Sequence, residues 1–414
     1  MATVRPFRAV RPNAEDAASV ASLPYDVMNR AEAKEMAKDN EKSYLHIVRS
    51  EIDLPDNVGD YDEAVYQQAK DNLKRFIEEG ILIRDEMPMF YIYRQIMKGR
   101  VQTGLVATTS IDEYMDNSIK KHEFTREAKE KDRINHFDVT DANTEPIFLT
   151  YRHVEEIERL MNDYIKFNDP DYDFSTEDGI THIFWAIADE AINEQIEAAF
   201  KEVPALYIAD GHHRSASSAK VGLKRREEHP DYDGSEEFNF FMSVLFSDKD
   251  LFIMDYNRVV ADLNGLSKDE FLEKVKESFE VSEVKEEGPF RPKEKHVFGM
   301  FLDDKWYELK AKDSIIGDDP IRSLDVSILQ ENLLHPILGI EDPRTDKRID
   351  FVGGIRGLKE LERRVSEDME VAFSLYPTTM DDLLSIADHD MIMPPKSTWF
   401  EPKLRSGLFI HELS

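Results

Sequence analysis

Apolar residues change from a strand-like to a helical spacing at one turn, and the rest of the chain is organised around that turn. Residues 205–209 are almost all apolar and predict a short buried strand. Beyond the turn, Ala216, Ala219 and Val221 are spaced to share the buried face of a helix. Gly211, between the two patterns, permits a backbone turn that other residues resist. The pattern predicts strand, tight turn and helix.

Strand and helix patterns recur along the rest of the chain. The predicted strands lie at 89–95, 103–109, 145–151, 181–187, 238–246, 252–260, 297–302 and 306–310, and the predicted helices at 30–38, 61–79, 154–164, 189–200, 267–279 and 325–335. Charge, proline and glycine coincide at 227–234 and predict a domain boundary there. We therefore expect an α+β fold, with an N-terminal region over 1–230 and a second α+β domain over 231–414.

The predicted turn, Asp210-Gly211-His212-His213-Arg214, carries a carboxylate, two imidazoles and a guanidinium. A strand that ends in such a turn exposes the first N–H groups of the next helix, and these favour an anion such as phosphate. Asp210 could hold a divalent cation, Arg214 could clamp phosphate oxygens and Ser215 could add a hydroxyl donor. In the alternative interpretation Asp210 caps the helix and the histidines are ordinary polar turn residues. The spacing matches neither a zinc site nor a P-loop, and it leaves both interpretations open.

Composition narrows the classes of partner. The chain has 414 residues, no cysteine and a net charge of −32, with 53 basic against 85 acidic residues. The negative electrostatic field of this charge repels polyanions, and no basic stripe is evident. Nucleic acid is therefore not expected as a partner. No apolar run is long enough to span a bilayer and no signal peptide is evident, so we expect no membrane association and a cytoplasmic location. A small anionic nucleotide requires only local positive charge, which five residues could supply: Lys121, Lys129, Lys131, Arg133 and Arg214.

Two proline-containing segments are further candidates for a site. Tyr25 and Asp26, in Pro24-Tyr25-Asp26-Val27, could line a pocket, although a turn nucleated by the proline is the favoured interpretation. Near the C-terminus, Pro394 and Pro395 stiffen the approach to Lys396 and Ser397, so these two side chains could be presented to a substrate. The alternative for this second segment is a packed strap whose aromatic residues seek a core.

The turn resembles the strand-turn-helix signature of the ParB/sulfiredoxin-like superfamily, and above all that of its free L-serine kinases. Asp210-Gly211-His212-His213-Arg214 fits the Asp-Gly-x-His-Arg turn of those kinases. A second block is similar too, since His122-Glu123 is followed by Glu145-Pro146-Ile147-Phe148-Leu149-Thr150 in the same order. Roughly sixty residues of largely helical pattern are inserted before the turn.

Over its full length the chain also resembles a family of similar size that is catalogued as a domain of unknown function. Four segments carry this resemblance: residues 5–9, 24–27, 210–214 and 393–403. With the kinase resemblance it implies a ParB/sulfiredoxin-like mixed core over about 111–230.

The kinase resemblance implies phosphoryl transfer from ATP or ADP, with Mg, to the hydroxyl of a free amino acid, for which we expect L-serine, giving O-phosphoserine. It implies Glu123 as the base, Asp210 as a catalytic residue that holds metal and nucleotide, and Gly211, His212, His213, Arg214 and Ser215 as the nucleotide site. Substrate binding is assigned to His122, Lys396 and Ser397. The alternative is a nucleotide-binding regulatory or scaffold protein without phosphotransfer. The acceptor, the donor and the oligomeric state stay open at this point.

Overall fold

The computed structural model describes residues 2–414, and the expected α+β fold is confirmed. The strands are β1 (Val4–Arg5), β2 (Val10–Pro12), β3 (Leu82–Arg84), β4 (Phe90–Met97), β5 (Arg100–Ser110), β6 (Ile119–Lys120), β7 (Ala142–Asn143), β8 (Ile147–Tyr151), β9 (Tyr172–Ser175), β10 (Ile180–Ile187), β11 (Leu206–Asp210), β12 (Phe240–Ser247), β13 (Tyr256–Val260), β14 (Phe279–Glu283), β15 (Val297–Leu302), β16 (Lys305–Ala311), β17 (Ile349–Gly353), β18 (Val371–Ser374) and β19 (His411–Glu412). The helices are α1 (Ala17–Val20), α2 (Arg30–Ala37), α3 (Leu45–Val48), α4 (Glu63–Glu78), α5 (Ile111–Met115), α6 (Glu127–Thr140), α7 (Glu155–Phe167), α8 (Glu190–Lys201), α9 (His212–Glu228), α10 (Lys268–Ser278), α11 (Asp325–Leu329), α12 (Lys359–Glu367) and α13 (Met380–Asp388).

The chain forms two compact units. The first contains the residues up to Leu251 together with Pro402–Ser414, and the second contains Phe252–Glu401. The first unit extends past the boundary expected at 230 because β12 pairs with both β5 and β8 of its sheet. The C-terminal segment belongs to it because β19 pairs with β7. The division into folding domains at 230 and 231 stays a prediction.

The sheet of the first unit brings the predicted turn next to the second motif block. Within residues 2–414, nine strands form this sheet in the order β6-β11-β8-β12-β5-β4-β10-β9, with β1 added on β5. The predicted hairpin is confirmed, since β4 and β5 pair antiparallel. β11 lies between β6, to which it is parallel, and β8, to which it is antiparallel. Asp210, at the end of β11, is therefore next to the strand that follows Glu145-Pro146.

The segment between β8 and β11 contains α7, β10 and α8, and all three were predicted from the sequence. The strand β9, which pairs with β10, was not predicted. β10 pairs with β4, and β9 forms the edge of the sheet beyond it, while Ile157 and Leu160 of α7 and Phe200 of α8 are buried in the core of the unit. The insertion thus extends the sheet and covers one of its faces.

The second unit contains a sheet with the order β14-β16-β15-β18-β13-β17, antiparallel at every pairing. Its core includes Val259, Phe301, Trp306 and Leu361, so α12 packs on one face of the sheet. In neither unit does a described helix combine the length and apolar character that crossing a bilayer requires.

Candidate functional site

The predicted strand-turn-helix is present, and two features of its turn require a glycine at position 211. β11 ends at Asp210, α9 begins at His212, and Gly211 between them has φ +95°, in the left-handed region that favours glycine. A Cβ atom at Gly211 would lie 3.1 Å from Nε of Arg214, so the side chain of Arg214 folds back against the turn. No side chain caps the start of this seventeen-residue helix. The alternative interpretation, in which Asp210 caps the helix, is therefore wrong.

The Asp210 carboxylate lies between two cations. Its Oδ2 accepts a hydrogen bond of 3.0 Å from Nζ of Lys403, and its Oδ1 lies 3.8 Å from a terminal nitrogen of Arg214. Burial alone would raise the pKa of Asp210, but the charges of Lys403 and Arg214 outweigh it and hold that pKa well below its usual range. Asp210 is therefore ionised at neutral pH.

Arg214 ties the turn to the second motif block. It is only 4% exposed, and it donates a hydrogen bond of 2.6 Å to the carbonyl oxygen of Pro146. Burial would lower the pKa of Arg214, but Asp210, Asp26 and Glu145 raise it. The guanidinium is thus in part committed to holding the protein together, and less open to a ligand than the sequence indicates.

The histidines fasten a loop across the turn. The backbone N–H of His122 donates to Nε2 of His212 at 3.4 Å, and that of Arg126 donates to Nε2 of His213 at 2.9 Å. Burial lowers the pKa of His122 to about 4, and it is also the main cause of the lowered pKa values of His212 and His213. All three rings are neutral at pH 7, as Nε2 acceptors in the two turn histidines require. Glu123 is exposed in the loop between the two fastened residues.

The Tyr25–Asp26 segment borders the same turn. Tyr25 donates its backbone N–H to Oε1 of Glu145 at 3.0 Å, and its ring lies 3.9 Å from the guanidinium carbon of Arg133. Arg133 in turn pairs with Oε2 of Glu145 at 3.3 Å. Asp26 is exposed, and its charge acts on the pKa of both His213 and Arg214. The segment is a turn, as the sequence favours, and it also carries a carboxylate to the site.

Three assigned residues use their side chains for contacts within the protein. Ser215 is fully buried, and its hydroxyl donates to the carbonyl of Gly211 at 3.1 Å. Ser397, in the second unit, donates to the carbonyl of Pro394 at 2.6 Å. Lys396, in the same unit, has φ +59° and holds Nζ 5.6 Å from the ring centroid of Tyr256. The assignment of these three to nucleotide or substrate stays a prediction.

The structure brings the remaining assigned residues together in the first unit: His122, Glu123, Asp210, Gly211, His212, His213 and Arg214. Sequence reasoning gave no role to two further members, Glu145 and Lys403. Both stand in segments that carry the resemblances, and Lys403 is the last residue of the 393–403 run. Lys403 could therefore have been a candidate, but Lys396 was favoured because it directly follows Pro394 and Pro395.

Within the part of the chain that the structure describes, no group of three or more His, Asp or Glu side chains could hold a metal ion. Asp210 shares its oxygens with Lys403 and Arg214, so it does not form a dedicated metal site. Mg²⁺ is commonly held by one or two carboxylates together with substrate phosphates. Asp210 as a Mg²⁺ ligand therefore stays a prediction for the nucleotide-bound protein.

Comparison with known proteins identifies one protein family and several solved structures of low similarity. A family model described as "Protein of unknown function (DUF1015)" matches residues 4–327, and no curated protein matches the chain. Among solved structures, the chain has a low similarity to a free serine kinase variant in complex with AMP, at 14% identity and a TM-score of 0.37, covering 76% of this chain and 95% of that one. Another is C-terminally truncated SbnI from Staphylococcus aureus, at 11% identity and 0.38, covering 73% and 85%. A conserved hypothetical protein from Pyrococcus furiosus has 14% identity and 0.35, covering 76% and 97%.

Proposed function

This chain belongs to the family described as protein of unknown function (DUF1015), and we propose that it is a small-molecule kinase acting at the Asp210–Arg214 turn. The reaction is transfer of a phosphoryl group from ATP or ADP to the hydroxyl of a free amino acid, with L-serine the expected acceptor and O-phosphoserine the product. One observation carries the proposal. An uncapped helix start, an ionised Asp210 flanked by two cations and a carboxylate-bearing loop meet at one turn.

Phosphoryl transfer needs positioning and charge stabilisation more than covalent chemistry from the protein. The first N–H groups of α9 would hold phosphate oxygens, and Arg214 and Lys403 would offset their charge. When Mg²⁺ is bound with the nucleotide it neutralises further phosphate charge, with Asp210 the residue expected to hold it. These parts all lie in the first unit.

In the acceptor step, Glu123 is the base that takes the hydroxyl proton. The acceptor hydroxyl oxygen forms a bond to the terminal phosphorus, and the bond from that phosphorus to the nucleotide's bridging oxygen breaks. The hydroxyl proton passes to the Glu123 carboxylate, and AMP leaves when ADP is the donor, or ADP when ATP is. The exposed position of Glu123 in a loop fastened over the turn supports this role. Asp26 is a second carboxylate that could serve instead.

The proposal is tested by incubating the full-length protein with Mg²⁺, L-serine and either ATP or ADP. We expect a phosphomonoester resonance of O-phosphoserine in the ³¹P NMR spectrum and one AMP or ADP formed per phosphoserine. D-serine and glycine serve as controls, since glycine has no hydroxyl. No phosphoserine with either nucleotide would reject the kinase proposal.

The alternative is a nucleotide-binding regulatory protein, and one observation favours it. Arg214 and Ser215 already hydrogen-bond within the protein, so the turn presents fewer free donors than its residue types indicate. Nucleotide that raises the melting temperature without being consumed, whatever amino acid is offered, would support this alternative.

A further inference from the structure

Lys403 reaches the candidate site from the far end of the chain, 193 positions after Asp210. Its backbone is fixed, because Gln95 donates from Nε2 to the carbonyl oxygen of Lys403 at 2.9 Å. Gln95 is fully buried on β4, and Gln102 on β5 donates to its Oε1 at 2.9 Å. A buried amide pair in the central hairpin of the sheet therefore anchors the residue that carries this ammonium group.

The C-terminal segment also contacts the second acidic residue of the site. Ser406 donates from its hydroxyl to Oε1 of Glu145 at 3.1 Å, next to the bond from the N–H of Tyr25. Asp210 and Glu145 are thus both contacted by side chains of Pro402–Ser414. Since the family model matches 4–327, this segment completes the site from outside the matched region.

Two independent features indicate that a ligand binds at this turn. The helix α9 starts without a side-chain cap and without an acidic residue in its first turn, so its N-terminal N–H groups favour negative charge. In addition, Nδ1 of His122 is buried and has no partner, in a ring that packs 4.5 Å from that of His212. An unpaired polar atom at such depth is uncommon. Because the other nitrogen of this neutral ring hydrogen-bonds to the backbone of Ile208, Nδ1 is an acceptor that is open to a donor group of a ligand, such as a hydroxyl.

We propose that Lys403 completes the phosphate subsite of the turn, with its ammonium group bridging the Asp210 carboxylate and a phosphate oxygen of the bound nucleotide. The inference rests on the nucleotide-binding half of the proposed function and does not require transfer. An ammonium is a compact point charge on a flexible stem, so it can keep Asp210 as a partner while it contacts phosphate.

A purely structural role makes a different prediction. If Lys403 only anchors the C-terminal segment, its loss lowers stability and leaves nucleotide affinity unchanged. A phosphate ligand instead discriminates between ligands, because ADP carries phosphates and adenosine carries none. The ratio of the two affinities therefore separates the two roles.

The experiment compares full-length wild type, Lys403→Met, Lys403→Arg and the control Lys42→Met by isothermal titration with ADP and with adenosine. Lys42 forms an ion pair with Asp16 in the same unit. We expect Lys403→Met to lose about ten- to a hundredfold in ADP affinity, the value of one charge-assisted hydrogen bond. Adenosine affinity should not change, Lys403→Arg should retain most ADP affinity, and Lys42→Met should behave as wild type.

A second measurement uses only the wild-type protein, so it does not depend on whether a variant folds. ADP should protect Lys403 of the wild-type protein from acetylation, measured by mass spectrometry, while Lys42 stays equally reactive and adenosine protects neither. Unchanged ADP affinity in Lys403→Met, or ADP binding without protection of Lys403, overturns the inference and leaves the kinase proposal standing. ADP binding through Lys403 without phosphoserine formation rejects the kinase proposal alone. A wild-type protein that binds no nucleotide overturns both.

Discussion

The backbone N–H of Arg126 donates to Nε2 of His213 at 2.9 Å, across 87 positions of the chain. With the bond from the N–H of His122 to His212, it fixes both ends of the loop that carries Glu123. The two motif blocks that the sequence places far apart are therefore one structural unit. The adjacent histidines of the turn serve as acceptors that hold the loop, and burial lowers the pKa of both rings so that they are neutral at pH 7, as this role requires.

Glu123→Gln should lower turnover by about 10²–10⁴-fold, the usual contribution of a general base, while nucleotide affinity stays unchanged. The amide keeps the shape of the carboxylate but accepts no proton at neutral pH. The measurement is the rate of phosphoserine formation at saturating nucleotide and serine, with ADP affinity determined by titration. Equal turnover of variant and wild type would remove Glu123 from the mechanism.

Two further variants decide which carboxylate is the base. Glu127→Gln is the matched control, since Glu127 is exposed at the start of α6, and we expect its turnover to equal that of wild type. Asp26→Asn tests the second carboxylate. If Asp26→Asn shows the larger loss of turnover, the base is Asp26, and the loop that crosses the turn has another purpose.

Arg214→Lys should weaken nucleotide binding by about 1–3 kcal/mol, although the charge is retained. Arg214 bonds the Pro146 carbonyl at 2.6 Å through one terminal nitrogen and holds the other 3.8 Å from Asp210, and a lysine lacks the planar fork that places two nitrogens on these two groups. The variant should also unfold at a lower urea concentration. Arg226→Lys is the control, because Arg226 lies on the same helix and pairs with Asp112 away from the turn. Equal nucleotide affinity in Arg214→Lys would place its guanidinium outside the nucleotide site.

The strand-turn-helix and the hairpin could be predicted from sequence because both depend on local patterns. Alternating or continuous apolar runs fix β4, β5 and β11, and Gly211 fixes the turn between β11 and α9. Lys403 could not be predicted in this way, since its place depends on long-range contacts. These are the bond from Gln95 to its carbonyl oxygen and the pairing of β7 with β19, two segments that carry no periodic signal of their own. Two-residue strands have no pattern that sequence alone can recognise.

The extent of the first unit and the limits on Arg214 depend on tertiary contacts as well. β12 follows a charged, proline-containing break and still joins the earlier sheet, where it lies between β5 and β8 and pairs with both. Arg214 looks like an ideal phosphate clamp by residue type, but its depth of burial and its bond to Pro146 follow from how β8 lies against β11. Residue type gives the available chemistry, and packing decides how much of it faces a ligand.

Gly211→Ala should lower the free energy of unfolding by more than the backbone strain at this position accounts for. Gly211 has φ +95°, where a Cβ atom costs about 1–2 kcal/mol, and that atom would also lie 3.1 Å from Nε of Arg214. Gly234→Ala is a matched control, since Gly234 has φ +97° with nothing within 4 Å of the added atom. Urea unfolding of both variants should show a lower free energy of unfolding for Gly211→Ala, and only this variant should lose ADP affinity. Equal losses would mean that Arg214 moves aside freely.

Stability should fall as the pH is lowered from about 6.5 towards 4, in part because of His122. Burial lowers the pKa of His122 to about 4 in the folded protein, whereas an unfolded histidine titrates near 6.5. Between these values the unfolded chain binds the extra proton, so acid favours unfolding, and the effect is absent above pH 7. When the pH is lowered from 7 to 5, the free energy of unfolding should fall by about 2 kcal/mol more in wild type than in His122→Gln, as measured by urea unfolding. The exposed His229 gives the control His229→Gln, which should lose as much as wild type. Equal losses in wild type and His122→Gln would mean that the ring accepts a proton in the folded site, and the neutral cluster at the turn would have to be abandoned.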